Sequence, residues 1–435
     1  MADCHVIHYS FLAMGIVSQT EKLSTKAHIL DHYARNDKLC ALDARYSRHS
    51  GICSRTLAAG RSVEGRRTGI SMKETSVALD YLKLNDSNSI RIPADDLHRQ
   101  VSAILQGVGT PAEHADITAK ILVSSSLRGV ETHGVGNAVR YAESIESGNY
   151  TVPQTVAIIT ETESTALLDC GNGLGFVAAH QGMEISIAKA RDIGIGMTTI
   201  RNGHHIGMVG YYPMMAVAEN MIGMAMTNAS RSVRPALGAR PRVGTNPIAF
   251  GAPAGEERDF IFDMATSTIA SGKIGLAKRL GVQMPVGWAV TAEGEPLTEP
   301  RGDRGEDWAM NPLGGTREQG AHKGYGLGVM VDILCGVLSG GGFGAQLAGG
   351  ENMTWTMAID IAKFRDVDDF KSMMDDMVRE LHATPPMPGE DGVLVAGDPE
   401  ADFEDDRSVN GVPVENGQYD EMRAKAAQLG VEVFI

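Results

Sequence analysis

The chain of 435 residues has few cysteines and no long apolar run. Its five cysteines are widely scattered and lack both zinc-ligand and CxxC spacing, a pattern typical of a protein in a reducing compartment; they are Cys4, Cys40, Cys53, Cys170 and Cys335. No apolar run reaches the roughly 20 residues that a membrane helix needs. We therefore expect a soluble, cytoplasmic protein without a membrane span.

Positive charge is also scarce, because 39 Lys and Arg face 54 Asp and Glu, for a net charge of −15. Nucleic acids and anionic membranes bind through clustered Lys and Arg side chains. The charge balance thus argues against either as the main partner. Glycine, with 51 residues, is abundant and indicates many tight turns or close approaches of the backbone to a ligand. A chain of this length is expected to divide into two or three lobes.

Residues 1–71 differ from the rest in composition. They contain ten Lys and Arg but six Asp and Glu, and no acidic residue occurs between Ala44 and Val63. This stretch loosely resembles an organelle transit segment, but a disordered extension, or translation that begins near Met72, explains it equally well. We interpret residues 1–85 as an extension that is disordered or not part of the fold.

Beyond Ile90 the pattern alternates between helical and strand-like stretches. Pro93 opens an amphipathic helix whose apolar face is formed by Leu97, Val101, Ile104, Leu105 and Val108. Further helices are predicted at about 111–127, 177–191 and 367–381, and strands at 222–227, 260–262 and 355–361. The chain therefore mixes helices and strands, and it shows no internal repeat.

The most distinctive stretch lies between residues 194 and 212. A strand-like run ends in the polar break Arg201–Asn202–Gly203, and two adjacent histidines follow, His204 and His205. Polar, glycine-containing loops at strand ends are where scaffolds hold reactive side chains, and imidazole exchanges its proton near neutral pH. We interpret this stretch as a catalytic loop, although one histidine could equally be structural. A metal site is not predicted, because adjacent side chains point apart and no third ligand has suitable spacing.

Three other positions are candidates for ligand binding. His133 follows a helix and precedes Arg140 and Tyr141, and such side chains can bind a carboxylate; the alternative is a histidine that stabilises the helix C-terminus. Asp263 stands where a strand ends, beside a helix start that could receive phosphate or ribose. Lys323, before another helix, could also hold a phosphate. A capping residue and a solvated lysine are the simpler alternatives for these two.

The stretch GNGLGF at 171–176 invites comparison with the dinucleotide-binding fingerprint. Its spacing is GxGxG, however, and no acidic residue closes a second strand about 20 residues further on. A cluster of turn glycines is the better interpretation, so a Rossmann domain is not predicted.

Taken together, these stretches resemble the malate/L-lactate dehydrogenase-like family of NAD(P)-dependent oxidoreductases, which includes sulfolactate and ureidoglycolate dehydrogenases and cyclic imino-acid reductases. The matching stretches occur in order between about residues 90 and 435: RGVETHGV (128–135), RNGHHIGMVGYY (201–212), GTNPIAFGAP (244–253), FDMATS (262–267), HKGYGLG (322–328) and GVLSGGGFG (336–344). An ordered set of this kind is more specific than any one motif. Residues 1–85 lie outside it.

The resemblance implies an α+β fold in which NAD or NADP binds to a largely antiparallel sheet that is not a Rossmann domain. It implies three parts after the extension: an N-terminal helical part (86–160), a cofactor-binding and catalytic domain (161–345), and a C-terminal segment (346–435) that returns to the sheet and the helical domain. Both chain ends would thus form the helical domain. A homodimer is also implied, since the family completes its active site across a dimer interface.

The resemblance also assigns roles to residues. His205 corresponds to the family's acid/base histidine, and His133 lies in the second catalytic motif, with Thr132 where the family has serine. The substrate-binding residues would be Thr132, Asn137, Arg140 and Tyr141, and the cofactor-binding residues Ala229, Ser230, Asp263, Met264, Ala265, Lys323, Gly397 and Asp398. Asn137 stands where the family often has arginine, so Arg140, one turn on, is expected to bind the substrate carboxylate instead.

The activity implied by the resemblance is reversible hydride transfer between nicotinamide and C2 of a small 2-hydroxy acid, malate-like or lactate-like. An imidazole with a pKa near 7 can act as the base in one direction and the acid in the other, and no metal is required because the nicotinamide carries the redox chemistry. The alternatives are reduction of a cyclic imino acid such as Δ1-piperideine-2-carboxylate, cofactor binding without turnover and, third, metal-dependent hydrolysis.

Overall fold

A computed structural model describes Leu84 and residues 87–302, 305–347 and 350–435. The interpretation of residues 1–85 concerns residues outside these ranges, apart from Leu84. In chain order the helices are α1 (Ala94–Gly107), α2 (Ala112–Leu127), α3 (Ala138–Glu146), α4 (Gly175–Ile193), α5 (Tyr211–Val217), α6 (Ser271–Leu280), α7 (Ala321–Val331), α8 (Val367–His382), α9 (Asp398–Asn410) and α10 (Asn416–Leu429). A π-helix, Asp332–Val337, continues α7.

The strands are β1 (Ser89–Ile92), β2 (Ala157–Glu161), β3 (Thr165–Asp169), β4 (Ile195–Gly203), β5 (Met221–Thr227), β6 (Ile248–Ala252), β7 (Phe260–Met264), β8 (Ala289–Thr291), β9 (Pro296–Leu297), β10 (Trp308–Met310), β11 (Asn352–Asp360) and β12 (Val412–Glu415). Seven of them form the main sheet in the order β2-β3-β4-β11-β5-β6-β7. Neighbouring strands are antiparallel except β3 and β4, which are parallel. This largely antiparallel sheet with its helices confirms the α+β class.

Helix α1 shows how the sequence pattern becomes packing. Two aspartates, Asp95 and Asp96, lie in its first turn, where the helix dipole favours negative charge. Its predicted apolar face is buried, since four leucine, valine and isoleucine side chains have no exposed surface. Only Val108 differs, because it lies one residue past the helix and is half-buried. Burial of side chains of this size contributes roughly 1.5–3 kcal/mol each, so α1 is firmly attached to the core.

The parallel strands β3 and β4 are joined by α4, and the GNGLGF stretch forms the turn into this helix. A Cβ atom on Gly173 would lie 2.4 Å from the Gln154 side chain, and one on Gly175 would lie 2.0 Å from the carbonyl oxygen of His204. The stretch therefore has the strand–helix setting of a dinucleotide fingerprint, but these glycines allow the protein to pack closely against itself. This contact explains the glycines without a phosphate.

Both chain ends meet in the helical layer. Strands β1 and β12 pair antiparallel, with Ser89 opposite Glu415. Met422 and Ala426 of α10 are buried in the same apolar cluster as Leu97 of α1, and this cluster continues into β3 and α4. Because one cluster spans all these elements, the domain boundaries at 160 and 345 remain predictions.

Helices cover both faces of the main sheet. On β11, Ala358 belongs to the cluster beneath α4 and α5, whereas Met353 and Trp355 belong to a cluster beneath α7 and the π-helix; odd and even residues of a strand face opposite sides. A small sheet, β10-β8-β9, packs with α6 around Trp288 and Trp308. In the part of the chain that the structure describes, no helix combines the length and the apolar character required to cross a membrane.

Candidate active site

The two adjacent histidines after β4 occupy different environments. His204 is buried and stacks on Tyr150, with ring centroids 4.0 Å apart. Its Nε2 lies 3.0 Å from Asn172 Oδ1, and Asn172 Nδ2 donates to Asn149 O at 3.1 Å, which fixes the amide orientation. Nε2 of His204 therefore donates to the amide oxygen. His204 holds the loop in place and is structural, one of the two outcomes that the sequence left open.

His205 is bound through Nδ1. That atom lies 2.7 Å from Tyr141 Oη and 3.3 Å from the backbone nitrogen of Gly207. The backbone N–H can only donate, so Nδ1 is the acceptor, and the Tyr141 hydroxyl donates to the same atom. Arg140 in turn donates to Tyr141 Oη at 3.2 Å. The neutral ring therefore carries its proton on Nε2, the nitrogen that is left to meet a substrate.

A second imidazole lies alongside the first. The rings of His133 and His205 are stacked, with centroids 5.3 Å apart and planes 21° apart, and Thr132 Oγ1 lies 2.8 Å from His133 Nδ1. The edge of Phe176 closes the pocket, since its ring contacts both Tyr141 and His205. The structure thus brings together the two histidines that the motifs singled out, although 72 residues separate them.

The electrostatics of this pocket oppose positive charge. Burial lowers the pKa of His205 well below its ordinary value, and the neighbouring His133 and Arg140 lower it further. Burial also lowers the pKa of His133 to about 4, again with a contribution from Arg140. The expected pKa near 7 is therefore wrong for His205 in the free protein, because a stacked, desolvated pair beside a guanidinium cannot easily accept a proton.

We expect the stability of the fold to fall as the pH drops from about 6.5, the pKa of an unfolded-state histidine, towards the pKa of about 4 of folded His133. In this window the unfolded chain binds more protons than the folded one, so acid favours unfolding. Urea unfolding curves between these pH values measure the effect, and His133→Asn should flatten it. Asp263 has a raised pKa and changes stability in the opposite direction, but it is present in both the wild type and the His133→Asn variant. If the free energies of unfolding of these two proteins changed equally with pH, His133 could not be neutral in the folded state.

Asn137 and Arg140 differ in how much of their side chain is available. Asn137 Nδ2 donates to Thr132 O at 3.1 Å and to Gly134 O at 3.2 Å, so this amide braces the turn that carries His133. Arg140 is exposed, and its guanidinium donates to Tyr141 Oη. The binding of a substrate carboxylate by Arg140 remains a prediction.

The turn that carries His133 is also held from the C-terminal side. Arg407 of α9 is buried and donates to Ser126 O at 2.5 Å and to Glu131 at 2.6 Å. Arg128 forms a matching pair with Glu404, at 2.6 Å. These buried arginines were not singled out in the sequence, because charged residues give no signal of their partners when those lie more than 270 residues away.

Asp263 links the catalytic loop to a cleft. Its Oδ2 accepts a hydrogen bond from Gly210 N, at 2.7 Å, at the end of the loop that carries His205. Gly397 lies across a cleft of about 270 Å³ whose walls are β7 and residues 394–400. Desolvation in this setting raises the pKa of Asp263 to about 6, with a contribution from Glu400, while backbone hydrogen bonds oppose the shift. Asp263 and Gly397 thus line the same cleft, and their contact with a cofactor remains a prediction.

The other predicted cofactor residues lie at the same end of the sheet. Ala229 and Ser230 follow β5, and Ala265 follows β7. Strands β5 and β7 flank β6, and Ile248 at the start of β6 pairs with Met226 of β5 and Met264 of β7, so the two strands end at the same edge of the sheet. Asn246 joins them to α7, since its Oδ1 accepts from Ala229 N at 3.0 Å and its Nδ2 donates to Gly328 O at 2.8 Å. Met264 ends β7 beside them, and Lys323 lies in the exposed first turn of α7.

Asp398 is arranged differently from the rest of this set. Its carboxylate lies 2.7 Å from His382 Nε2 and accepts from Val395 N at 2.7 Å, and the residue is buried. Its side chain therefore holds the turn before α9. A cofactor contact through Asp398 remains a prediction, since the cleft is lined by its neighbours Gly397 and Pro399.

The structure combines a mixed α+β fold, two stacked imidazoles and a cleft beside Asp263. Comparison with known proteins makes this specific. The chain belongs to the malate/L-lactate dehydrogenase family, whose model matches residues 92–423.

Individual relatives agree with this assignment. The chain is 38% identical over 353 residues to malate dehydrogenase of Pyrococcus abyssi, which covers 80% of this chain and 97% of the relative. It is 31% identical over 338 residues to ureidoglycolate dehydrogenase (NAD(+)) of Escherichia coli O157:H7, which covers 76% and 94%. The crystal structure of malate dehydrogenase from Entamoeba histolytica superposes with a TM-score of 0.77 at 31% identity, over 79% of this chain and 99% of that one. The resemblance inferred from the motifs is confirmed.

Proposed function

We propose that this protein is an NAD(P)-dependent oxidoreductase that transfers a hydride between nicotinamide and a small 2-hydroxy acid or 2-oxo acid. The observation that carries the proposal is the placement of His205, whose Nδ1 is taken by Tyr141 and whose Nε2 is left for a substrate oxygen. The relatives named malate dehydrogenase and ureidoglycolate dehydrogenase (NAD(+)) support both the substrate class and the cofactor.

The residues around the cleft suit such a cofactor. Asp263 presents a carboxylate that can accept hydrogen bonds from ribose hydroxyls, while Lys323 and the first turn of α7 suit a phosphate. Ala229, Ser230, Met264 and Ala265 would complete the contacts from the ends of β5 and β7, together with Gly397 and Asp398 across the cleft. When bound, the nicotinamide supplies or accepts the hydride, which needs no metal.

Tyr141 allows His205 to work in both directions. A hydroxyl can donate to Nδ1 when this atom is bare and accept from it when it is protonated. A substrate carboxylate beside Arg140 offsets the positive charge that lowers the pKa of His205 and so favours the protonated ring. That ring can donate from Nε2 to a substrate oxygen, which leaves its remaining proton on Nδ1, where it donates to Tyr141 Oη in place of the longer bond from Gly207 N. In the reverse direction, the bare Nε2 of this tautomer accepts the hydroxyl proton.

Arg140 is the proposed carboxylate ligand. We expect Arg140→Met to raise the KM for a 2-oxo acid by about 10- to 100-fold, since a hydrogen bond to a charged group contributes roughly 1.5–3 kcal/mol, while NADH binding is little changed. Steady-state kinetics with NADH titrations measure both. The matched control is Arg191→Met, which removes an exposed arginine of α4 that pairs with Glu219. An unchanged KM would show that another group holds the carboxylate.

A substrate panel tests the function itself. Purified protein is assayed for NADH and NADPH oxidation with pyruvate, oxaloacetate and Δ1-piperideine-2-carboxylate. Turnover of a 2-oxo acid supports the proposal, whereas turnover of the cyclic imine alone supports the imino-acid reductase. Quenching of NADH fluorescence without any turnover would point to a non-catalytic cofactor-binding protein, and inhibition by chelators would point to a metal enzyme.

The proposal includes a homodimer in the cytoplasm and the three-part organisation at 86–160, 161–345 and 346–435. These features rest on the family resemblance. Sedimentation at micromolar concentration tests the dimer, and limited proteolysis tests the two internal boundaries.

A further inference from the structure

A buried carboxylate, Asp332, lies where α7 passes into the π-helix. It is 6% exposed, and no salt bridge to it occurs among the described residues. Its Oδ1 accepts from Asn228 Nδ2 at 3.1 Å and from Gly344 N at 3.2 Å. Burial raises the pKa of Asp332, and these two donors and the nearby Asn246 amide oppose that rise. All its partners are thus neutral donors, although a buried charge is usually paired with an opposite charge.

The two donors and the nearby Asn246 belong to three separate segments. Asn228 directly follows β5 and precedes Ala229, Asn246 lies in the GTNP turn before β6, and Gly344 ends the SGGGFG loop after the π-helix. The carboxylate therefore joins the end of the SGGGFG loop to the residue before Ala229, and it lies beside the GTNP turn. A π-helical turn is a rare element that often marks a functional position.

These bonds hold both sides of the Ala229–Ser230 segment. On one side Asn228 is bound by Asp332, and its Oδ1 accepts from Met353 N at 2.8 Å. On the other side Arg231 N donates to Gly344 O at 3.2 Å, so Arg231 is held by a residue that Asp332 itself binds. In the middle, Ala229 N donates to Asn246. The residues on both sides of the segment, Asn228 and Arg231, are thus connected to Asp332 within two hydrogen bonds.

We propose that Asp332 is a positioning residue for cofactor binding, which holds the Ala229–Ser230 segment in the conformation that receives the cofactor. The proposal rests on the function proposed above. It explains why a buried carboxylate without an opposite charge is tolerated: a carboxylate accepts several strong hydrogen bonds at once, and no apolar side chain of similar size could accept from Asn228 and Gly344 together.

The test compares Asp332→Asn with a matched variant. Asp375→Asn also removes a buried carboxylate, one that accepts the N–H groups of Gly255, Glu256 and Glu257. Those residues lie between β6 and β7, at the other end of the sheet from Ala229. Both variants are expected to lower the melting temperature. Only Asp332→Asn is expected to raise the NADH dissociation constant, by about tenfold or roughly 1.4 kcal/mol, with a smaller change in kcat at saturating cofactor.

A second variant tests the proposal in case Asp332→Asn fails to fold. Asn246→Gly removes the amide beside Asp332 that accepts from Ala229 N, and glycine can adopt the backbone conformation at this position, whose φ of 37° is left-handed. It should weaken NADH binding similarly, and the double variant with Asp332→Asn should be less than additive. Equal NADH affinity of wild type and Asp332→Asn, with a melting temperature lowered as in Asp375→Asn, would overturn the proposal. Wild-type protein that binds neither NADH nor NADPH would instead overturn the proposed function and the inference with it.

Discussion

We expect His205→Ala to lower kcat by about 10²- to 10⁴-fold, the contribution of a positioned general acid or base, while the NADH dissociation constant stays near that of wild type. The imidazole is the acid/base group of the proposed reaction, and alanine leaves no group that can exchange a proton with the substrate oxygen. Stopped-flow or steady-state assays with a 2-oxo acid measure the loss, and fluorescence titration measures cofactor binding.

The neighbouring histidine is the natural control for this result. His204→Asn removes the stack on Tyr150 and changes the bond to Asn172, so it should reduce stability more than it reduces kcat. Turnover by His205→Ala that stays within about tenfold of wild type, a factor worth roughly 1.4 kcal/mol in the barrier, would be incompatible with His205 as the proton donor. Another group would then have to carry out that step.

The second large effect is expected at Gly175, where no side chain fits. A Cβ atom there would lie 2.0 Å from His204 O and 2.8 Å from His205 O. Both are backbone atoms, so they cannot move aside as a flexible side chain could. We expect Gly175→Ala to destabilise the fold by about 1–3 kcal/mol or more, the range for overpacked cores, and to displace the His205 loop enough to abolish most turnover.

A glycine with space around it provides the comparison. Gly275 lies inside α6, and the nearest atom to its added Cβ is Arg279 Nη1 at 3.9 Å. Gly275→Ala should therefore raise the free energy of unfolding by up to about 1 kcal/mol through helix propensity. Urea unfolding measures both variants. A Gly175→Ala protein with wild-type stability and activity would show that α4 and the loop can separate without cost.

Local patterns predicted much of this molecule. The buried face of α1 and the strand β4 that ends in the His204–His205 loop follow from spacing within about 20 residues, because helix periodicity and turn chemistry are local properties. The catalytic role of this loop and the absence of a Rossmann domain remain predictions. The fingerprint case is instructive. The glycines at 171–175 have the expected strand–helix setting, and only the contact of Gly175 with the His204 carbonyl reveals why they are there.

What could not be predicted depends on contacts between distant segments. Asn228 and Asp332 are 104 residues apart, and nothing near either residue signals the other. The expected pKa near 7 for His205 was wrong for the same reason, because burial and the stacked His133 lower this pKa. For Asp398 the sequence could not say that His382 and Val395 would take up its carboxylate.

The central position of β11 bears on how the chain is made. Its partners β4 and β5 end at residues 203 and 227, yet β11 begins only at residue 352. At about 5–20 residues per second, a ribosome needs roughly 7–30 s to reach β11 after β4. During that time two part-sheets expose unpaired edges, which are sites of aggregation. A nascent chain that stops before residue 352 should therefore aggregate, and the intact chain should depend on chaperones while it is translated.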